Sequence, residues 1–119
     1  MRFTFSKRFF VETSLDTNER ILKEGAANLQ SGTETVGGKL YLTNRRLVFE
    51  SHMVNLRRDP TIVRIDTISA VTKCWTKFFN VIPLIPNSLA VTTCEGKKYN
   101  FVLFDRDGWA SAITSAKIS

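Results

Sequence analysis

The sequence holds one histidine, two cysteines and three prolines in 119 residues, and each scarcity narrows what the chain can do. A lone His52 leaves general acid–base chemistry short of partners, and His52, Cys74 and Cys94 show no metal-ligand spacing, so a zinc site is not expected. Gly37-Gly38 lacks the Lys-Ser or Lys-Thr ending and the following helix of a phosphate loop. No enzyme and no cofactor is read here. Two cysteines outside a CxxC pair read as free thiols in a reducing, cytoplasmic setting. No apolar run approaches the roughly 20 residues that span a bilayer. The N-terminal "MRFTFSKRFFVETSL" is broken by Lys7, Arg8 and Glu12 and so lacks the continuous apolar core of a signal peptide.

Acidic residues are also outnumbered, with 11 Asp and Glu against 17 Lys and Arg and a net charge of +6. The excess is spread out: residues 1–20 contribute +1, 21–60 contribute +2, 61–104 contribute +3 and 105–119 contribute nothing. A dedicated nucleic-acid surface concentrates its charge, so a nucleic-acid partner is the weakest class of reading. With 43% hydrophobic and 24% charged residues, the composition is that of an ordinary globular chain, and its length suits one domain with its own core.

What the sequence does have is recurrent alternation. Leu40 and Leu42 alternate with Lys39, Tyr41 and Thr43, and Leu47 and Phe49 alternate with Val48 and Glu50. A hairpin folded around Asn44 and Arg45 pairs Leu42 with Leu47 and Leu40 with Phe49 on an apolar face, and Tyr41 with Val48 and Lys39 with Glu50 on the other. Asn44 tolerates positive φ and suits the turn. Arg45 then sits at a solvated hairpin tip, which explains it without a ligand.

Further strands are expected at about 20–29, 61–65, 68–74, 88–94 and 97–104, with "SGTETVGG" closing the first and Glu95-Gly96 turning between the last two. The period then changes. Asp105 is a good N-cap, Asp107 adds negative charge to the first turn, and Trp109, Ala112, Ile113 and Ala116 follow at helical spacing. The fold class is therefore mainly β, about seven short strands closed by one C-terminal amphipathic helix.

In order and spacing, "GGKLYLTNRRLVFESH", "IDTISAV", "GKKYNFVLF" and "DRDGWASAI" resemble the GRAM domains, which share the pleckstrin-homology-like fold. The resemblance covers about residues 20–116 and implies a seven-stranded, strongly bent sandwich or partly open barrel capped by the helix. It divides the chain into an N-terminal extension, 1–19, as a docked extra element, and the domain proper, 20–119. It also implies a binding module, associating peripherally with acidic membrane lipid or with a protein partner. Many phosphoinositide-binding relatives of this fold carry basic residues through the first two strands. The matching "EGAANLQSGTETVGGK" has only Lys39 and contains Glu24 and Glu34, which argues against tight headgroup binding there.

Four stretches could carry contacts. Residues 73–87, "KCWTKFFNVIPLIPN", set Trp75, Phe78, Phe79, Ile82, Leu84 and Ile85 beside Lys73 and Lys77, while Pro83 and Pro86 argue against a regular strand or helix. One reading is an apolar loop that enters a bilayer or a partner. The other is a long connection folded back to finish the core, the commoner fate of apolar clusters in small domains. The N-terminal Phe3, Phe5, Phe9 and Phe10, mixed with Arg2, Lys7 and Arg8, suit a membrane surface or single-stranded nucleic acid by stacking and charge, or equally an extra strand or short helix docked on the domain, the plainer account. Arg45 and Arg46 at the hairpin tip, and Arg57 and Arg58 in the loop after the third strand, are candidate anion contacts. Self-association into a homo-oligomer through edge strands or the apolar stretch is the rival function.

Overall fold

A computed structural model describes residues 14–31, 34–51, 60–78 and 82–118. Seven strands run in order: β1 (Ile21–Ser31), β2 (Glu34–Thr43), β3 (Arg46–Ser51), β4 (Thr61–Arg64), β5 (Ile68–Phe78), β6 (Ile82–Thr93) and β7 (Lys98–Leu103). A single 3₁₀ turn, Ile65–Thr67, joins β4 to β5, and the helix α1 (Arg106–Ile118) closes the chain. The strands form one antiparallel sheet in the order β4-β3-β2-β1-β7-β6-β5.

The sheet folds over on itself. In a flat sheet β3 and β7, with β2 and β1 between them, would lie about 14 Å apart. The rings of Phe49 on β3 and Phe101 on β7 nevertheless have centroids 6.0 Å apart. One apolar cluster accordingly gathers Leu40 and Leu42 of β2, Leu47 of β3, Val63 of β4, Ile68 of β5, Leu89 and Val91 of β6, and Leu103 of β7. Trp109, Ile113 and Ala116 of α1 close it. This is the bent sandwich with a helical cap that the resemblance implies, built from the strands and terminal helix that the alternation predicts.

The β2–β3 hairpin has the anticipated register, pairing Leu42 with Leu47, Tyr41 with Val48, Leu40 with Phe49 and Lys39 with Glu50. Its second face is buried too: Leu15 and Ile21 pack on Tyr41 and Val48. The turn works differently from expectation. Asn44 is not among the described residues with positive φ, which apart from glycine are Asn18 and Asp105. Instead the Thr43 hydroxyl oxygen accepts the N–H groups of Arg45 and Arg46 at 3.0 and 2.9 Å. Asn44 is thereby freed to clasp the preceding segment, its Oδ1 accepting the Arg20 N–H at 2.9 Å and its Nδ2 donating to the Asn18 carbonyl at 3.1 Å.

Two strand boundaries depart from the expected ones. "SGTETVGG" is not all turn, because β2 already begins at Glu34 and carries both glycines. A Cβ on Gly38 would stand 2.2 Å from the Glu50 carbonyl oxygen and 2.8 Å from the Phe49 ring, so glycine here lets two strands approach closely within regular pairing. The second departure is larger. Residues 73–87 do not form a long connection: β5 runs on to Phe78 and β6 starts at Ile82, with Thr76 opposite Ile85 and Phe78 opposite Ile82.

Pro83 and Pro86 fit because β7 has ended by then. Its last pairing with β6 is Val102 opposite Ser88, so beyond that point β6 is an edge strand among the described residues, where proline removes no bond to a second neighbour. The pairing slips between Cys74 and Thr76 and again between Thr76 and Phe78, as strongly twisted edge ribbons do. The result is a two-stranded arm extending about 13 Å past Cys74 to its last paired residue.

At the helix start, Asp105 caps as anticipated, Oδ1 accepting the Gly108 N–H at 3.2 Å. Ion pairs then tie this end to two parts of the sheet, Lys23 to Asp105 at 3.1 Å and Lys73 to Asp107 at 2.8 Å. The Lys23 ammonium also lies 5.3 Å from the centre of the Trp109 ring.

Candidate functional site

Adjacent in sequence, Arg45 and Arg46 have opposite roles. Arg46 is a structural clasp: its Nε donates to Glu19 Oε2 at 2.8 Å and its Nη2 to Glu19 Oε1 at 2.9 Å, a two-pronged pair, and Nη2 reaches the Ser14 carbonyl as well. The Glu19 side chain is fully buried. It also accepts a hydrogen bond of 2.6 Å from the Thr43 hydroxyl. Burial alone would push the Glu19 carboxyl up, but hydrogen bonds from Arg46, the Asp16 N–H and Thr43 overcome it and hold the group below its ordinary value. The same bonds from Glu19 hold the Arg46 guanidinium above its ordinary range against burial. A pair this committed does not grip a passing anion.

Arg45 is exposed and stands at the mouth of a cleft of about 440 Å³. Asp16, Asn44, Arg45 and Arg46 line it, together with Ile62, Arg64, Ile65 and Asp66 and with Ala116 and Lys117 at the end of α1. Arg46 lies directly across from Arg64 in the β3–β4 pairing. Each has its own carboxylate, Glu19 for the first and Asp66 at 2.8 Å for the second. The Asp66 carboxyl is lowered by its hydrogen bonds from Arg64. Neither Arg45 nor Lys117 has a side-chain partner among the described residues.

The cleft and the arm lie at opposite ends of β5. Ile65 and Asp66 of the cleft precede the first residue of β5, Ile68, and the arm ends at Phe78. Ten residue steps separate Ile68 from Phe78, about 33 Å of strand.

The structure thus brings Arg45 and Arg46 together at one site and places Lys73, Trp75, Lys77, Phe78, Ile82, Leu84 and Ile85 along the other hairpin. Arg57, Arg58, His52, Phe79 and the Phe-rich residues 1–13 lie outside the described residues. Arg64, Lys117 and Glu19 are contributors the sequence reading did not single out. Arg64 had a readable signal, because alternation along β4 turns it outward beside buried Val63. For the pairing of Glu19 with Arg46 no local signal exists, the two being 27 residues apart.

Among the described residues no helix is long and apolar enough to cross a membrane, and no three His, Cys, Asp or Glu side chains gather where a metal could sit. Cys94 is a free, exposed thiol in the β6–β7 turn. Pockets of about 360 Å³ along β1, β2 and β7, and about 240 Å³ between β4 and the β6–β7 turn, carry no comparable set of uncommitted charges.

Compared with known proteins, residues 4–115 match the family described as GRAM domain. No curated protein matches the sequence. Among solved structures, the C-terminal domain of an unknown protein from Leishmania infantum superposes with a TM-score of 0.69 at 20% identity, covering 87% of this chain and 88% of that one. The Vps36 N-terminal PH domain gives 0.63 at 14% identity, covering 87% and 83%. The DH/PH domains of p115-RhoGEF give 0.67 at 14% identity; 87% of this chain is covered, but it spans only 32% of that longer one.

Proposed function

The chain belongs to the GRAM domain family, and from that premise we propose that it is a non-catalytic binding module that attaches peripherally to acidic membrane through its β5–β6 arm. The observation that supports this is the arm itself. Between Cys74 and Ser88 two strands pair only with each other among the described residues, and their sequence is densely apolar, with Lys73 at its base and Lys77 next to the end of β5. A two-stranded ribbon with no third strand among the described residues, carrying an apolar sequence with lysines, suits the headgroup boundary. Each lysine near an anionic surface adds about 1 kcal/mol of attraction.

Co-sedimentation with neutral and with acidic liposomes, at low and at high salt, tests the reading. Binding that requires acidic lipid, persists in part at high salt and disappears in the Phe78→Ser, Phe79→Ser double variant is the expected result. Equal binding to neutral liposomes, or an unaffected double variant, overturns it.

One observation favours a second reading, self-association. Among the described residues β5 is the terminal strand of the sheet and is 11 residues long, an edge on which a second copy could add a strand. A defined oligomer in solution that fails to bind liposomes would favour that reading over membrane attachment.

A further inference from the structure

We propose that the cleft between the β2–β3 turn and the end of α1 binds a small, soluble phosphate-bearing anion, at a site separate from the arm. Four basic side chains reach it from three parts of the chain: Arg45 and Arg46 from the turn, Arg64 from β4 and Lys117 from the last turn of the helix. Like charges placed directly opposite on neighbouring strands repel, and Arg46 and Arg64 are so placed. Their carboxylates resolve the conflict unequally. Glu19 is fully buried against Arg46 and cannot be spared, whereas the Arg64 and Asp66 side chains are 73% and 65% exposed. An exposed pair of that kind contributes little, so Arg64 can turn from Asp66 to a phosphate at small cost.

Among the described residues Arg45 and Lys117 have no side-chain partner to give up. The cleft therefore offers two uncommitted cations and a third that is loosely held. Its opposing charges are Asp16, Asp66 and the partial negative charge of the α1 C-terminus, and Lys117 stands over the last of these. Ile62, Ile65 and Ala116 supply apolar lining between the charges. At about 440 Å³ the space falls within the range of metabolite-sized sites. A phosphorylated ring compound meets this chemistry: the phosphate takes Arg45, Arg64 and Lys117, and the ring covers Ile62.

A soluble source follows from position. The cleft adjoins the Ile68 end of β5 and the arm ends at Phe78, so a molecule whose arm enters a bilayer holds the cleft about 30 Å of strand away from that end. The site is thus displaced from headgroup level and open to solution.

Titration of the full chain with inorganic pyrophosphate, followed by amide NMR at constant ionic strength, tests the assignment. Saturable shifts confined to residues 44–46, 64–66 and 116–117 are expected. Arg45→Ala with Lys117→Ala should weaken binding at least about tenfold, the loss of one or two charge-assisted hydrogen bonds. Lys97→Ala with Lys98→Ala, the same loss of charge at the β6–β7 turn, should leave it unchanged. Shifts spread over all surface lysines, or equal weakening by both double variants, overturn the site. A second arm uses vesicles of acidic phospholipid. If vesicle binding is lost in the Arg45→Ala, Lys117→Ala variant but kept in Phe78→Ser, Phe79→Ser, the phosphate is a lipid's and the soluble assignment fails. If the reverse holds and pyrophosphate still binds the arm variant, cleft and arm are independent sites.

Discussion

The two long hairpins of this domain are built on opposite terms. The β2–β3 hairpin is flanked on both sides by β1 and β4, keeps an unbroken register, and buries both of its faces, one in the main core and the other under Leu15 and Ile21. Among the described residues the β5–β6 hairpin has a neighbour only along part of one side, and it shifts its register three times and outruns that neighbour by several residues. Both are rich in apolar residues, so hydrophobicity alone does not distinguish them. What distinguishes them is the number of strands and layers available to cover each, and that number is set by topology.

Deleting the same chemistry from each hairpin should break the comparison most visibly if it is wrong. Leu42, fully buried, should cost about 3–5 kcal/mol on replacement by Ala in a denaturant titration, from lost transfer energy and the cavity left behind. Gly38→Ala should be of similar severity, since the Glu50 carbonyl it would meet is backbone and cannot swing away. Glu19→Gln comes next, at about 3 kcal/mol, because Arg46 would lose its buried counter-charge.

The Glu19 variant also carries a pH signature. The folded-state carboxyl lies below its ordinary 4.5, so its contribution to stability is complete above that pH and is lost as pH falls through the folded value. Wild-type stability should therefore decline below about pH 4.5 more steeply than that of Glu19→Gln. Parallel curves for the two proteins would remove Glu19 from the account.

Ile85→Ala in the arm should cost less than about 1 kcal/mol, well under the Leu42 value, since that residue pairs with Thr76 on a ribbon with no third strand among the described residues. A loss matching Leu42 would show that the arm is packed against the body, and the membrane reading would fall with it. Arg45→Ala should be the smallest, within about 0.5 kcal/mol, beside an Arg46→Ala that approaches Glu19→Gln. That contrast separates the free arginine from the clasped one.

The register of β2–β3 was legible because period-2 alternation on both sides of one turn leaves a single pairing that buries all the leucines. The helix start was legible because Asp105 and the Trp109, Ile113, Ala116 spacing are local signals. The arm was not, since two prolines argue against a strand unless it is known that the neighbouring strand has already stopped, and that depends on where β7 ends. Nor was the Arg46 clasp. A charged residue at a turn looks solvated until a carboxylate 27 residues earlier is folded onto it, and no periodicity marks Glu19 as buried. Of the cleft, Arg45 could be read as an anion contact, while Arg64 and Lys117 acquire that role only when β4 and the end of α1 are brought to the same turn.

Strand order has a consequence for the chain as it emerges from the ribosome. β1 lies at the centre of the sheet between β2 and β7, and the residues that pair its second edge arrive late, Leu103 joining Ala27 after 76 further residues. At the usual pace of synthesis that is an interval of about 4–15 s, during which β1 to β4 stand as a half-built sheet with an unpaired edge and an uncovered apolar face. Chaperone dependence during synthesis should therefore concentrate on the first half of the chain and end when β7 and the helix are released.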